Sequence, residues 1–158
     1  TSFAHELHQQ VDGARMAAMG SSFGGYMVNW IGGQTERFRC IVTHASLFSF
    51  PAFHGTTDYP GYFAHEMQGN PYDADPQAYN RYSPHTFVRA WRTPTLITHG
   101  EKDYRVPVSE GLLLFEALHA RGVETELLVF PDEGHWIKRP RNVRAWYDVW
   151  LDFVGRHL

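Results

Sequence analysis

The sequence predicts an α/β fold built on a mostly parallel sheet, and three observations carry that expectation. Four apolar runs of strand length, at 14–19, 40–45, 95–99 and 125–130, alternate with segments of helical period. The stretches between runs are long enough for the crossover helices that parallel strands require. The residues with the most reactive chemistry fall at or just past the C-terminal ends of these runs, the side on which open parallel sheets place function.

Residues 1–11 have helical spacing, with Phe3, Ala4, Leu7 and Val11 apolar and Ser2 as N-cap. The run Ala14 to Met19 reads as a buried strand ending at Gly20, followed by a helix over 25–33. A second buried strand covers 40–45 and makes Cys40 a buried structural thiol. The stretch 46–93 is rich in Pro, Gly, Asp and aromatics and has no sustained period; short helices are expected near 60–68, 75–80 and 84–90. Strand 95–99, helix 107–121, strand 125–130 and helix 141–157 complete the order. Leu112, Phe115, Leu118 and His119 are expected on the inner side of the helix over 107–121. Trp146, Val149, Trp150, Phe153 and Val154 form the apolar stripe of the last helix.

A length of 158 residues corresponds to one domain. With 43% hydrophobic and 20% charged residues, the chain has enough apolar material to offset the entropy of ordering. A net charge of −3 gives no basic footprint for nucleic acid. The densest cationic cluster, Lys138, Arg139, Arg141 and Arg144, reads as a solvated helix start. One cysteine excludes an intrachain disulfide framework. No apolar stretch approaches the roughly 20 residues of a membrane-spanning helix. The first residues, TSFAHELHQQ, show neither an initiator Met nor a signal-peptide pattern and read as the interior of a longer chain. The compartment stays open on this reading, with the cytoplasm favoured.

The first chemical motif is Gly20-Ser21-Ser22-Phe23-Gly24, followed by Gly25. It fits G-x-S-x-G, in which a nucleophile sits on a tight strand-to-helix turn and small neighbours leave room for the crossing backbone. Ser22 is the candidate nucleophile, and the backbone N–H of Phe23 faces the developing oxyanion at a helix start. Ser21 is the competitor, without the flanking glycine geometry. Asp103 follows strand 95–99 in HGEKDYRVP, and His135 follows strand 125–130 in PDEGHW. Either residue alone is an ordinary loop residue. Together with Ser22 they give the order Ser, acid, His of the α/β-hydrolases. Asp132 and Glu133 are alternative acids, too near His135 in sequence to sit on a separate strand end.

These segments resemble the prolyl oligopeptidase family of serine peptidases, within it the acylaminoacyl-peptidase and dipeptidyl-aminopeptidase-like branch. The resemblance runs through GSSFGGYMVNWIGGQTERFRCIVTHAS, the SPH at 83–85, TPTLITHGEKDYRVPVSEG and VETELLVFPDEGHWIKRP. It implies an α/β-hydrolase fold incomplete at its N-terminal side, with residues 1–158 the C-terminal portion of one hydrolase domain. The family's β-propeller and early hydrolase strands would be absent from this chain, along with a tyrosine hydroxyl that supplies the second oxyanion donor. It implies Ser22 as nucleophile, Asp103 as acid and His135 as base.

For the substrate pocket, Phe23 and Val106 match family pocket positions, and Tyr26 lies in the Gly-Gly-Tyr run after the nucleophile. Phe48, Phe50 and Phe53 either wall the pocket or pack beneath the irregular 46–93 segment. Trp30, Trp136, Trp146 and Trp150 are expected in core or helix packing. His54, Asp58 and His65 fit no standard zinc spacing, so no metal is expected, and no organic cofactor is implied. The resulting expectation is a serine peptidase acting on short peptides through an acyl-enzyme. The alternatives are a carboxylesterase with the same triad and a non-catalytic fragment. No nucleic-acid or membrane partner is expected. The open sheet edge calls for cover by the remainder of a parent chain or by a second copy.

Overall fold

A computed structural model describes residues 12–73 and 76–158. The helix expected over 1–11 lies outside the described residues. Four strands, β1 (Ala17–Ser21), β2 (Cys40–His44), β3 (Thr95–Gly100) and β4 (Thr125–Phe130), form one sheet in the order β1-β2-β3-β4. Every neighbouring pair is parallel, with Ser21 opposite His44, His44 opposite Thr98, and Gly100 opposite Phe130. The helices are α1 (Phe23–Gly32), α2 (Phe50–Thr56), α3 (Pro60–Glu66), α4 (Pro76–Arg81), α5 (Val108–His119) and α6 (Pro140–His157), with a 3-10 helix over Pro84–Ala90.

The alternation of side chains across β2 and β3 separates two apolar layers. Ile41 and Ile97 point to the face covered by α1 and α5, where they pack with Val28, Leu114 and Leu118. Cys40, Val42 and Leu96 point to the opposite face and meet Phe153 of α6, flanked by Val149, Trp150 and Val154. Both central strands are therefore buried on both faces, which is why they read as unbroken apolar runs. Trp91 fills the first layer with no exposed surface, and its indole N–H lies 3.1 Å from both Thr93 O and Thr95 Oγ1. A third cluster, Leu47, Phe50, Phe53, Tyr79 and Val106, follows the C-terminal ends of β2 and β3.

Several boundaries differ from the sequence expectation. The first strand begins at Ala17 rather than Ala14, because Asp12 takes the preceding residues into a turn. Its carboxylate accepts the Ala14 N–H at 2.9 Å and pairs with Arg15 at 2.8 Å. The strand is not buried throughout, since β1 pairs only with β2 among the described strands and Met19 is 46% exposed. Helix α2 was not expected; Ser49 at its N-cap and Pro51 in its first turn were the local signals. On α5 the buried residues are Glu110, Gly111, Leu114 and Leu118, and Phe115 packs against the core as expected, whereas Leu112 and His119 face solvent. The run Leu112-Leu113-Leu114 offers three apolar residues in a row, of which a helix can turn only one fully inward.

Candidate active site

Ser22 is the single residue between β1 and α1, with φ 56° and ψ −119°. That is left-handed backbone, which costs a non-glycine residue about 1–3 kcal/mol and persists only where its surroundings enforce it. Here the Ser22 N–H donates to His44 O at 3.0 Å, and Ser22 O accepts the Tyr26 N–H at 2.9 Å. A Cβ on Gly20 would lie 2.1 Å from Gly24 O, and one on Gly25 would lie 2.5 Å from Ser46 Cβ. Gly24, by contrast, has open space at that position. The steric demand thus falls on Gly20 and Gly25, not on both glycines of G-x-S-x-G.

Ser22, Asp103 and His135 converge. His135 Nε2 lies 3.0 Å from Ser22 Oγ, and His135 Nδ1 lies 2.8 Å from Asp103 Oδ2. Asp103, 3% exposed, turns its other oxygen to the N–H groups of Arg105 and Val106 at 3.0 and 2.9 Å. Burial opposes its charge, but the hydrogen bonds from His135 and the Val106 N–H, with His99 close by, outweigh burial and hold the carboxyl well below the usual range. An ionised Asp103 fixes the proton of His135 on Nδ1 and leaves Nε2 free to accept from Ser22. The two loops are tied together by Glu101 N–H to Phe130 O and Lys102 N–H to Glu133 O, each 2.9 Å.

Two buried histidines stand behind these three residues. His99 Nε2 donates to Val106 O at 2.8 Å and lies 3.6 Å from Asp103 Oδ2. His44 Nδ1 lies 2.9 Å from Thr98 Oγ1, which also takes the Trp146 indole N–H at 3.0 Å. Thr98 Oγ1 thus links His44 to Trp146. Burial first, then the neighbouring His99, pushes His44 down to about 4, so it is neutral at neutral pH.

The Phe23 N–H is the first of helix α1 and has no intrahelical acceptor, which leaves it available to an oxyanion. A cavity of about 560 Å³ opens beside Ser22, lined by Phe23, Tyr26, Leu47, Phe50, Phe53 and Val106, together with Tyr59, Tyr62, Phe63 and Met67. The structure places five of the six expected pocket residues around it. Phe48 is elsewhere, 4% exposed within the core layer that contains Trp91. Leu47 and the 59–67 residues were missed, because the 46–93 segment carries no period that assigns inner and outer faces.

Trp136 departs from the expected core packing: it is 59% exposed, with its ring edge-on to His135 at 5.2 Å. His54 faces the Tyr79 hydroxyl at 3.4 Å, and Asp58 pairs with Arg105 at 2.7 Å. Among the described residues, no group of three His, Cys, Asp or Glu side chains is arranged to hold a metal ion. Asp132 pairs with Arg139 and Arg141, and Glu133 accepts the N–H groups of Lys138 and Arg139; neither faces His135 as its acid.

The parallel sheet, its two helical layers and the placement of Ser22 on the β1–α1 turn define an α/β-hydrolase. The chain matches the prolyl oligopeptidase family over residues 1–158, and it belongs to that family. It is 40% identical over 152 residues to dipeptidyl-peptidase 5 of Porphyromonas endodontalis, covering 94% of this chain and 22% of that protein. It superimposes on the uncomplexed acylaminoacyl peptidase of Pyrococcus horikoshii with a TM-score of 0.90 at 26% identity, covering 99% of this chain and 26% of that one. The same TM-score, identity and coverage relate it to an acylaminoacyl peptidase in complex with Z-Gly-Gly-Phe-chloromethyl ketone. The chain thus spans about a fifth of the length of the curated relatives it matches.

Proposed function

We propose that this chain carries the catalytic residues of a serine peptidase that hydrolyses short peptides through an acyl-enzyme. The observation that carries the reading is the hydrogen-bonded chain from Ser22 Oγ to His135 Nε2 and from His135 Nδ1 to Asp103, at 3.0 and 2.8 Å. His135 takes the Ser22 proton as Oγ attacks the scissile carbonyl. The negative charge that develops on the carbonyl oxygen meets the Phe23 N–H. Collapse expels the amine, which receives the proton from His135, and water then repeats the sequence to release the acyl group. Asp103 orients the imidazole and stabilises its charged form throughout.

The substrate class rests on the relatives, a dipeptidyl-peptidase and acylaminoacyl peptidases, one of them bound to a peptidyl chloromethyl ketone. The apolar cavity beside Ser22 suits a large uncharged side chain on the acyl residue. Residues 1–158 would form the C-terminal portion of one hydrolase domain, whose remaining strands cover β1 in the parent protein and complete the oxyanion site.

The experiment compares turnover of aminoacyl anilides and p-nitrophenyl esters by the full-length protein. Hydrolysis of both, lost together in Ser22→Ala, is the expected result. Ester turnover with no amide turnover would assign a carboxylesterase instead. Turnover of neither would assign a non-catalytic role.

A further inference from the structure

The segment Ala45–Phe50 joins β2 to α2 and presents Leu47 and Phe50 to the cavity. It belongs to no helix or strand up to Ser49, and several of its backbone polar groups are taken up by three side chains distant in sequence. Asn29 of α1, fully buried, donates through Nδ2 to Ser46 Oγ and to Leu47 O, each at 2.9 Å. Ser83, also fully buried, accepts the Phe50 N–H at 2.9 Å. Glu110 in the first turn of α5 has no exposed surface, and its Oε2 accepts the N–H groups of Phe48 and Ser49 at 2.7 and 2.8 Å.

Glu110 is the odd member of this set. A carboxylate is costly to bury and is ordinarily paired with a cation. Among the described residues Glu110 makes no ion pair, and its Oε1 is buried without a hydrogen-bond partner. Burial raises it to about 7, against the two backbone N–H groups that favour its charge. What it does make is a two-pronged grip on consecutive N–H groups between Leu47 and Phe50. Those groups would be stranded in the interior without it, and Ser49 supplies no side-chain cap to the helix that follows.

We infer that Glu110 is a positioning residue for substrate selectivity, holding the Leu47–Phe50 wall of the cavity at the depth that receives a large apolar side chain. The inference rests on the proposed peptidase reading. Glu110 touches no substrate and acts through the backbone it grips.

The test is made on the full-length protein, with aminoacyl anilides that differ only in carrying phenylalanine or glycine at the acyl position. Labelling of Ser22 by a fluorophosphonate is followed in parallel. In Glu110→Ala the ratio of kcat/KM for the phenylalanyl over the glycyl substrate is expected to fall at least tenfold, chiefly through KM. Glu110→Gln, which keeps an oxygen for the two N–H groups, is expected to restore most of it. Should Glu110→Ala fail to fold, Glu110→Asp withdraws the carboxylate by one methylene, and the same fall in ratio is expected. A labelled variant in which both substrates lose equally, or in which the ratio does not move, overturns the inference and leaves the peptidase reading standing. A wild-type protein that neither labels nor turns over substrate overturns the peptidase reading and this inference with it.

Discussion

At the scale of single residues, the site turns on one strained serine and one buried carboxylate. Ser22 holds φ 56° because its N–H and C=O are fixed to His44 and Tyr26. Glycine adopts that backbone without penalty. Ser22→Gly is therefore expected to raise unfolding stability by about 1 kcal/mol relative to Ser22→Ala, in denaturant titrations of the two inactive variants. Equal stabilities would show that the turn stores no strain. Asp103 accepts three hydrogen bonds and sits well below its ordinary range. Asp103→Asn keeps the shape but reverses the demand on His135 Nδ1, and kcat is expected to drop on the order of 10⁴-fold with little change in KM. A loss confined to KM would remove Asp103 from the proposed mechanism.

At the scale of elements, the loops that carry Asp103 and His135 are held by polar side chains outside the proposed catalytic set. Glu133, 5% exposed, accepts the Arg139 N–H and Asn142 Nδ2 at Oε1, both at 2.8 Å, and the Lys138 N–H at Oε2, at 3.1 Å. It thereby joins the His135 loop to the start of α6. Burial works against its charge, but these donors outweigh it and hold the carboxyl below its usual value. The stabilisation it gives is present above the ordinary glutamate range and fades as pH falls through the lowered one. Glu133→Gln turns an amide N–H toward one of the donors and is expected to cost about 1–3 kcal/mol of stability. It is also expected to lower kcat more than it raises KM, because it is His135 that shifts. Steady-state kinetics alongside a denaturation curve separates the two effects; an unchanged kcat would mean that the loop is held without Glu133.

At the scale of the whole molecule, buried ionisable groups pull stability in opposite directions. Glu110 is raised to about 7, so the stability tied to its neutral form is complete below the ordinary glutamate range and is lost as pH rises through 7. His44 is lowered to about 4, so its contribution is present above the ordinary histidine range and is lost as pH falls toward 4. Their windows overlap and offset each other in the wild type. Glu110→Gln removes one side of that balance. Its stability relative to wild type is expected to improve by on the order of 2–3 kcal/mol between pH 5 and pH 8 in paired urea titrations. A pH-independent difference would mean that Glu110 does not titrate across that interval.

The two buried strands, the last helix and the elbow are written in local signals: period, apolar runs and the glycines around Ser22. The Ser, Asp and His that converge were recoverable because parallel strands deliver their ends to one edge. The 46–93 segment was not, since its order comes from contacts far away in the chain. Leu47 O accepts from Asn29 and the Phe48 N–H donates to Glu110, and no spacing within 46–93 records those two partners outside it. Likewise, which of three successive leucines on α5 faces inward depends on the layer it meets, not on its own sequence.

The proposed role of Ser22 is the claim on which the rest depends, and the most direct measurement is to treat the full-length protein with a fluorophosphonate and map the adduct by peptide mass spectrometry. The account predicts a single adduct on Ser22, absent in Ser22→Ala and slowed by orders of magnitude in His135→Ala. An adduct on Ser21 or another residue, or no adduct on a protein that hydrolyses peptides, would contradict it.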